Sequence, residues 1–482
     1  MWSMVESLES RQLLAGVARV IITPPLGIRM MGYTVQECVA EAVERELTAT
    51  ALVLSSGPLT VGLISCDLLF LQSPFVDQLR ARIAAQSQIP FDHLLMHGSH
   101  THLGPMLPGW QPGDSPEQGS LQSAYAQSLQ NSLVEVVAKA KADLRPARIG
   151  AGKGEAPIGM NRRERLADGR VIIGENPRGA VDREVGVIRI DDSGGRPIAT
   201  LMTAAAHPIV LGPKTPLLSP DYVGPAREIV ERATGALSLF FQGAAGNVCP
   251  ATGIGAGDAE QFDDMQRIGM MLAGEVLKVH SEVRTHHRRG PRSVVQSVAA
   301  LSTWDYEPLP LLPPRPFALA TRTRTLPMAP LPERRSIELL LQQYREQFAA
   351  AQAVGARQVA RRLTQWAELV LSAIDAAQPV TRDLRCWALR IDDIGIVAVN
   401  GEPFAELAIE IKRRSQLQTF FFGYSNGCLG YFPTPEAFQE GGMEVFESYQ
   451  NYLLPAQFTP AWGPAVVDTA LELLDETSRP ET

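Results

Sequence analysis

Residues 94–105 read LLMHGSHTHLGP. A short apolar run, Leu94 to Met96, passes through His97 to a glycine, and more histidines follow at once. His93, His97, His100 and His102 are half of the eight histidines in the chain. A short apolar run bounded by turn residues suits a fully buried strand. Polar side chains just beyond such a strand stand where α/β sheets gather their ligands. The stretch therefore predicts an α/β fold with an active site at the carboxyl ends of its strands.

The flanking sequence fits that frame. ATALVL (49–54) and LTVGLISCD (59–67) predict adjacent strands around the turn SSGP. SPFVDQLRARIAAQ (73–86) predicts a helix, with Ser73 as N-cap, Pro74 in the first turn, and Val76, Leu79 and Ile83 on one face. A longer helix over 120–144 carries Tyr125, Leu129, Leu133 and Val136 on its inner stripe. Further strands are expected within VGVIRIDD (185–192), ATLMTAAAHP (199–208), LSLFFQGAAGN (237–247, ending in a glycine-bearing loop), LRCWALRI (384–391), IGIVAVNGE (394–402) and TFFFGYSNG (419–427), with a helix over 403–414. PLPLLPPRP (308–316) excludes regular helix or central strand. Two amphipathic stripes follow it: Ile337, Leu341, Tyr344, Phe348, and then Val359, Leu363, Trp366, Val370, Ile374, with Gly355 as the expected turn between them. The expectation is one catalytic domain, 1–482, of mixed β-sheets packed with helices, in which 304–378 is a Pro-rich segment and helical-hairpin insertion.

Net charge is −8 and no long basic run occurs, which argues against a nucleic-acid partner. The five cysteines, at 38, 66, 249, 386 and 428, form no CxxC and fit a reducing compartment. The first residues, MWSMVESLESRQLL, lack an apolar stretch of signal-peptide length, and no segment reaches the roughly 20 apolar residues of a membrane span. A cytoplasmic location and no transmembrane segment are expected.

Four strand ends carry the chemistry: His100 and His102, His207, Asn247 with Cys249, and Glu402. Extended residues two apart point to one side, so His-x-His can turn two imidazoles to one ion, or one to metal and one to substrate. His100, His207 and Glu402 make the two-histidine, one-carboxylate set of a catalytic zinc with an open position. Each also has a plain reading: a loop or core histidine bonded to backbone, or a carboxylate at a helix N-terminus.

The motifs bring a family with them. SHTHLGP resembles the HTHSGP segment of the neutral/alkaline ceramidases, AAHP (205–208) their second histidine motif, and GAAGNVCP (243–250) their GDVSP loop. NGEPFAELAIEIKRRS (400–415) and YSNGCLGYFPTPEAFQEGGME (424–444) are similar to their glutamate and tyrosine segments. RVIITPPLGIRMMGY (19–33) and GMNRR (159–163) follow the same order. The resemblance implies a single zinc held by His100, His207, Glu402 and Tyr431, with His102 beside the zinc-bound water and Arg162 facing the site. It implies hydrolysis of an N-acyl amide bond in a small-molecule or lipid-like substrate such as a ceramide.

The sequence also departs from the pattern. Cys249 stands for the family's serine and Asn247 for its aspartate. Met443 replaces a tyrosine twelve positions beyond the ligand tyrosine, and Leu103 replaces the serine after HTH. A thiol at 249 is compatible with a nucleophile, a soft metal contact or a small buried residue, and free cysteines are mostly buried and inert. The family's immunoglobulin-like C-terminal domain and secretory signal have no counterpart in the sequence given. These departures leave two further readings: a metal-dependent esterase or lactonase on the same scaffold, and a ligand-binding relative with a weakened site. They also make Leu103 the expected seat of a changed substrate.

Overall fold

The computed structural model describes residues 12–33, 39–107, 116–255, 257–314 and 316–478. Cys38 and most of the N-terminal stretch lie outside them. Four layers are stacked. Helices cover one face of an eight-stranded sheet; its other face packs on a four-stranded sheet, which carries its own helices outside. Two-residue periodicity produces this directly. In strand Thr48–Ser56, Ala49, Ala51 and Val53 face the helices, while Leu52 and Leu54 face the second sheet. Leu63, Ile188, Leu201 and Phe241 of the large sheet meet Trp387, Leu389, Ile396 and Phe422 of the small one. Phe241 and Phe422 stack with ring centroids 4.4 Å apart. Each such fully buried side chain contributes about 1.5–3 kcal/mol.

The helix stripes read from sequence are the buried ones: Val76, Leu79 and Ile83 on Phe75–Ser87, and Tyr125, Leu129, Leu133 and Val136 on Pro116–Ala142. Helix Phe75–Ser87 starts later than expected, with Pro74 rather than Ser73 at the cap position. Residues 304–378 hold more than a helical hairpin. Strand Phe317–Pro327 pairs along its full length with Thr381–Ile391 and edges the small sheet. Helices Arg334–Ala350 and Val354–Ala376 then contribute Ile337, Leu341, Trp366 and Val370 to the core outside that sheet. Gly355 lies inside the second helix, so the turn falls at 351–353.

The large sheet is joined at its middle by two residue pairs only, Leu14–Pro146 and Ala15–Arg145. Its terminal strands, Leu94–Gly98 and Leu237–Gln242, lie near each other, and His97 ties them, beside Ser65 Oγ, which donates to Phe240 O at 2.5 Å. Gln242 N–H donates to His97 Nε2 at 2.7 Å, and His97 Nδ1 lies 3.0 Å from Ser425 Oγ, just past strand Gln418–Phe422 of the small sheet. Asn426 completes the tie by bonding the backbone of Leu94 and Met96 as a missing strand would. His97 is fully buried and neutral, with its pKa pushed down to about 3 chiefly by that burial. The folded value lies below the unfolded value of about 6.5. The stabilisation is therefore present above pH ~6.5 and lost as pH falls towards ~3. His97→Phe should cost about 1–3 kcal/mol at neutral pH, because Gln242 N–H loses its acceptor. It should also flatten the acid limb of urea-unfolding midpoints measured against pH.

Candidate functional site

Five loops that leave strand carboxyl ends meet beside the His97 tie. His100 follows Leu94–Gly98, His207 follows Pro197–Ala204, and Glu402 follows Ile394–Val399. A short parallel ladder then pairs Glu402 with Tyr431. Cys249, on Val248–Pro250, pairs with Met160 of Gly159–Arg165, the strand that carries Arg162. Fold and loops thus bring together all seven residues singled out from the sequence.

The distances are short. Glu402 Oε2 lies 3.2 Å from His100 Nε2 and 3.3 Å from His207 Nε2. His102 Nε2 lies 3.4 Å from His100 Nε2. Arg162 reaches His207 Nε2 at 3.4 Å and donates to the Tyr431 hydroxyl at 3.0 Å. Two extended residues do not explain the first two histidines. The strand has ended before them, and His100 sits at φ 70°, where a non-glycine residue is held only by its surroundings. Beside it, Gly32 brings the chain against His102 so closely that a Cβ there would stand 2.5 Å from the histidine's own. Tyr33 then sets its ring edge-on to His102 at 4.9 Å.

Hydrogen bonding fixes the imidazole tautomers. His100 Nδ1–H donates to Leu69 O at 3.0 Å and His207 Nδ1–H to Val248 O at 3.1 Å. Both therefore turn an Nε2 lone pair towards Glu402 Oε2, itself buried and without a hydrogen-bond donor among the described residues, while Arg162 Nη1 also stands 3.4 Å from His207 Nε2. Three lone-pair acceptors facing one point repel unless a cation stands between them. Donors around four-coordinate zinc at about 2.0–2.2 Å stand about 3.3–3.6 Å apart, and the two carboxylate–imidazole spacings fall at that edge. The residues present thus fit a metal ion. His100, His102 and His207 also form a three-histidine group with ligand atoms within 4.8 Å of one another. A ligating histidine normally donates its other N–H to a carbonyl or carboxylate. His100 and His207 do, whereas His102 Nδ1 is buried with no partner among the described residues. Glu402 therefore ranks above His102 as the third ligand.

Electrostatics suit neutral imidazoles beside a charged carboxylate. Burial, then Arg162, pushes His207 down to about 4, and burial holds His102 well below its ordinary value. Burial alone would raise Glu402, but contact with His100 and His207 keeps it well below the usual carboxylate range. Burial raises the Tyr431 phenol, with Glu402 adding to it and Arg162 opposing. The Cys249 thiol is pushed up by burial against the pull of Arg162, which runs counter to an activated nucleophile.

Sequence reasoning missed several neighbours. Glu444 binds Arg162 Nε at 3.0 Å and Arg163 Nη1 at 3.1 Å, all three side chains being buried. The Tyr452 hydroxyl donates to Glu402 Oε1. The Tyr424 ring lies against His100 with centroids 4.1 Å apart. Glu444 closes the quoted tyrosine segment and was within sight; Tyr452 lies beyond it and carried no signal. Asn247 braces the helix Ala405–Arg414, accepting from Ala405 N and donating to Glu406. Leu103 is fully buried in the helix-side core, next in the chain to His102. Met443 packs beside Tyr431, Phe404 and Tyr452.

Fold and cluster define a four-layer α/β protein with a candidate metal centre at its strand ends. No protein-family model matches the chain. The neutral ceramidase of Pseudomonas aeruginosa is 24% identical over 271 residues, 53% of this chain and 40% of that protein. The match therefore spans well under two thirds of the curated relative. The crystal structure of neutral ceramidase from Pseudomonas aeruginosa superposes with a TM-score of 0.66 at 17% identity, over 98% of this chain and 76% of that one. A ceramidase complexed with C2 gives 0.66 at 16% identity over the same shares. The resemblance to neutral ceramidases drawn from the motifs holds, and with it the α/β class.

Removing Glu444 would take the carboxylate partner from the buried Arg162 and one of two from Arg163, which keeps Glu440 and Gly441 O. Glu444→Ala should cost about 3–5 kcal/mol, read as a lowered urea midpoint, whereas the exposed Glu440→Ala should leave the midpoint nearly unchanged.

Proposed function

We propose that this chain is a zinc-dependent hydrolase that cleaves an N-acyl amide bond in a ceramide-like or other lipid-like compound. The observation that carries this is the pair of imidazole Nε2 lone pairs turned, with a carboxylate oxygen that has no hydrogen-bond donor among the described residues, towards one buried point. The relatives support the bond type, since both the curated match and the structural neighbours are ceramidases.

His100, His207, Glu402 and Tyr431 would hold the ion. Bound there, zinc would supply Lewis-acid polarisation of the scissile carbonyl and an acidified water. The chain's own groups do the rest. His102, neutral and free at Nδ1, accepts the proton of the attacking water and later passes it to the leaving amine. Arg162, held by Glu444 and Tyr431, aims a fixed positive charge at the oxyanion that develops. Tyr452 anchors Glu402 through Oε1 and so keeps Oε2 directed at the histidines. Cys249 shapes the wall beside Arg162.

A second reading, a metal-dependent esterase or lactonase, draws on Met443. Where the resemblance places a phenol, the Tyr431 side of the site has a thioether and loses one donor. An ester needs less stabilisation of its transition state than an amide does.

Metal analysis of purified protein should give one zinc per chain. His207→Ala and Glu402→Ala should fall well below that while remaining folded. His102→Gln should keep its zinc and lose about 10²–10⁴-fold in kcat. Metal-free wild-type protein that is nonetheless active would sink the proposal. Hydrolysis of matched N-acyl amides and esters separates the two bond types: amide turnover within about a hundredfold of ester turnover supports the first reading.

A further inference from the structure

Strands His287–Gln296 and Ala300–Pro308 form a two-stranded hairpin of their own, exposed on both faces. Residues 294–301, VVQSVAAL, carry no charge, and Val294, Val295, Val298 and Leu301 are all exposed. Trp304 pairs with Arg292 at the next level, and the Arg289 guanidinium lies 4.1 Å from the Trp304 ring centre. Arg288, Arg289 and Arg292 stand below the tip against Asp305 and Glu307, and Arg288 pairs with Glu307. Polarity thus changes along the hairpin, not between its faces. On one face Val294 opposes Ser302; on the other Val295 opposes Leu301, with Ser293 bonded to Thr303 just below.

A protein groove selects a face, whereas a lipid–water boundary selects a depth. An apolar tip, an aromatic level and a basic collar follow the order of a bilayer from acyl chains through interface to headgroups. From Val294 to the apex at Val298 is about 10 Å, matching the roughly 5–10 Å that interfacial segments bury. A tip of eight residues is small beside the roughly 20–30 per side of a stable protein interface.

We propose that this hairpin docks the protein on an anionic lipid surface. Its base packs at the turn Asp192–Pro197, where Gly195 lies against His286. The eight-residue strand that leaves this turn, Pro197–Ala204, leads at its far end to His207. The hairpin therefore sits about 25 Å from the histidine cluster, at the opposite end of the sandwich. Docking is thereby independent of the chemistry proposed above.

The test is sedimentation of the full chain with vesicles of phosphatidylcholine containing about one third phosphatidylserine, at rising salt. The wild type should bind at low salt and weaken as salt rises. Val295→Asp/Val298→Asp should bind about tenfold or more weakly, with an unchanged urea midpoint and zinc content. Arg289→Ala/Arg292→Ala should bind more weakly and lose part of the salt dependence. No wild-type binding overturns the proposal, and so does equal binding by the tip variant. Light scattering that shows a wild-type dimer converted to monomer by the tip variant, with vesicle binding unchanged, assigns the tip to a second copy of the chain instead.

Discussion

The structure turns on one neutral imidazole. His97 accepts from Gln242 N–H and sits at hydrogen-bond distance from Ser425 Oγ, and so joins the two terminal strands of the large sheet to the last strand of the small one. Ser65, bonded to Phe240 O, and Arg19, bonded to Ser238 O, add to that tie across a sheet joined at its middle by two residue pairs. With those ends held, the loops beyond them have only a few residues in which to diverge. His100 lies three residues after His97, His207 three after Ala204, and Glu402 three after Val399. Position of the site is thus a consequence of how the sheets are tied, and the loops need little length of their own.

On the proposed reading, roles within the cluster divide according to what each imidazole does with its far nitrogen. His100 and His207 donate to backbone carbonyls and are locked, whereas His102 is not. A ligand must not turn, while a proton carrier must change its bonding during each cycle. The same three-histidine group therefore contains two different kinds of residue. The left-handed backbone at His100 is the local cost of presenting its ring from a loop that has already left the strand.

Where a side chain's periodicity carried its burial, the sequence was legible. The stripes of the helices and the paired hairpins Thr48–Ser56/Leu59–Cys66 and Thr381–Ile391/Ile394–Val399 could be read residue by residue. Strand Arg145–Glu155 could not. It carries Gly150, Gly152 and Gly154 on the face that meets helix Glu260–Glu282, where a Cβ at Gly152 would stand 2.7 Å from Val279. Close packing there removes the apolar alternation by which strands are recognised. Strand Phe317–Pro327 puts Thr321, Thr323 and Thr325 on its exposed face and Arg322 and Arg324 on the other, and follows a proline-dense segment, so it lacks the apolar alternation of a half-buried strand. In the site, His100, His102, His207 and Glu402 announced themselves by type and position at strand ends. Tyr431 and Arg162 needed the family resemblance. Tyr452 and Tyr424 act through contacts that span the chain, which no local pattern encodes.

Charge explains why the outer partners matter as much as the inner set. Arg162 and Arg163 stand against Glu402 and Glu444, and burial holds His102 and His207 towards their neutral forms. A divalent cation placed among them would add two charges that nothing nearby already offsets. On the proposed reading the Tyr431 phenol, already accepting from Arg162, would offset part of that charge by giving up its proton. Glu444 is what makes this response available. Without it the buried Arg162 would lose its carboxylate partner, and an incoming cation would meet that uncompensated charge.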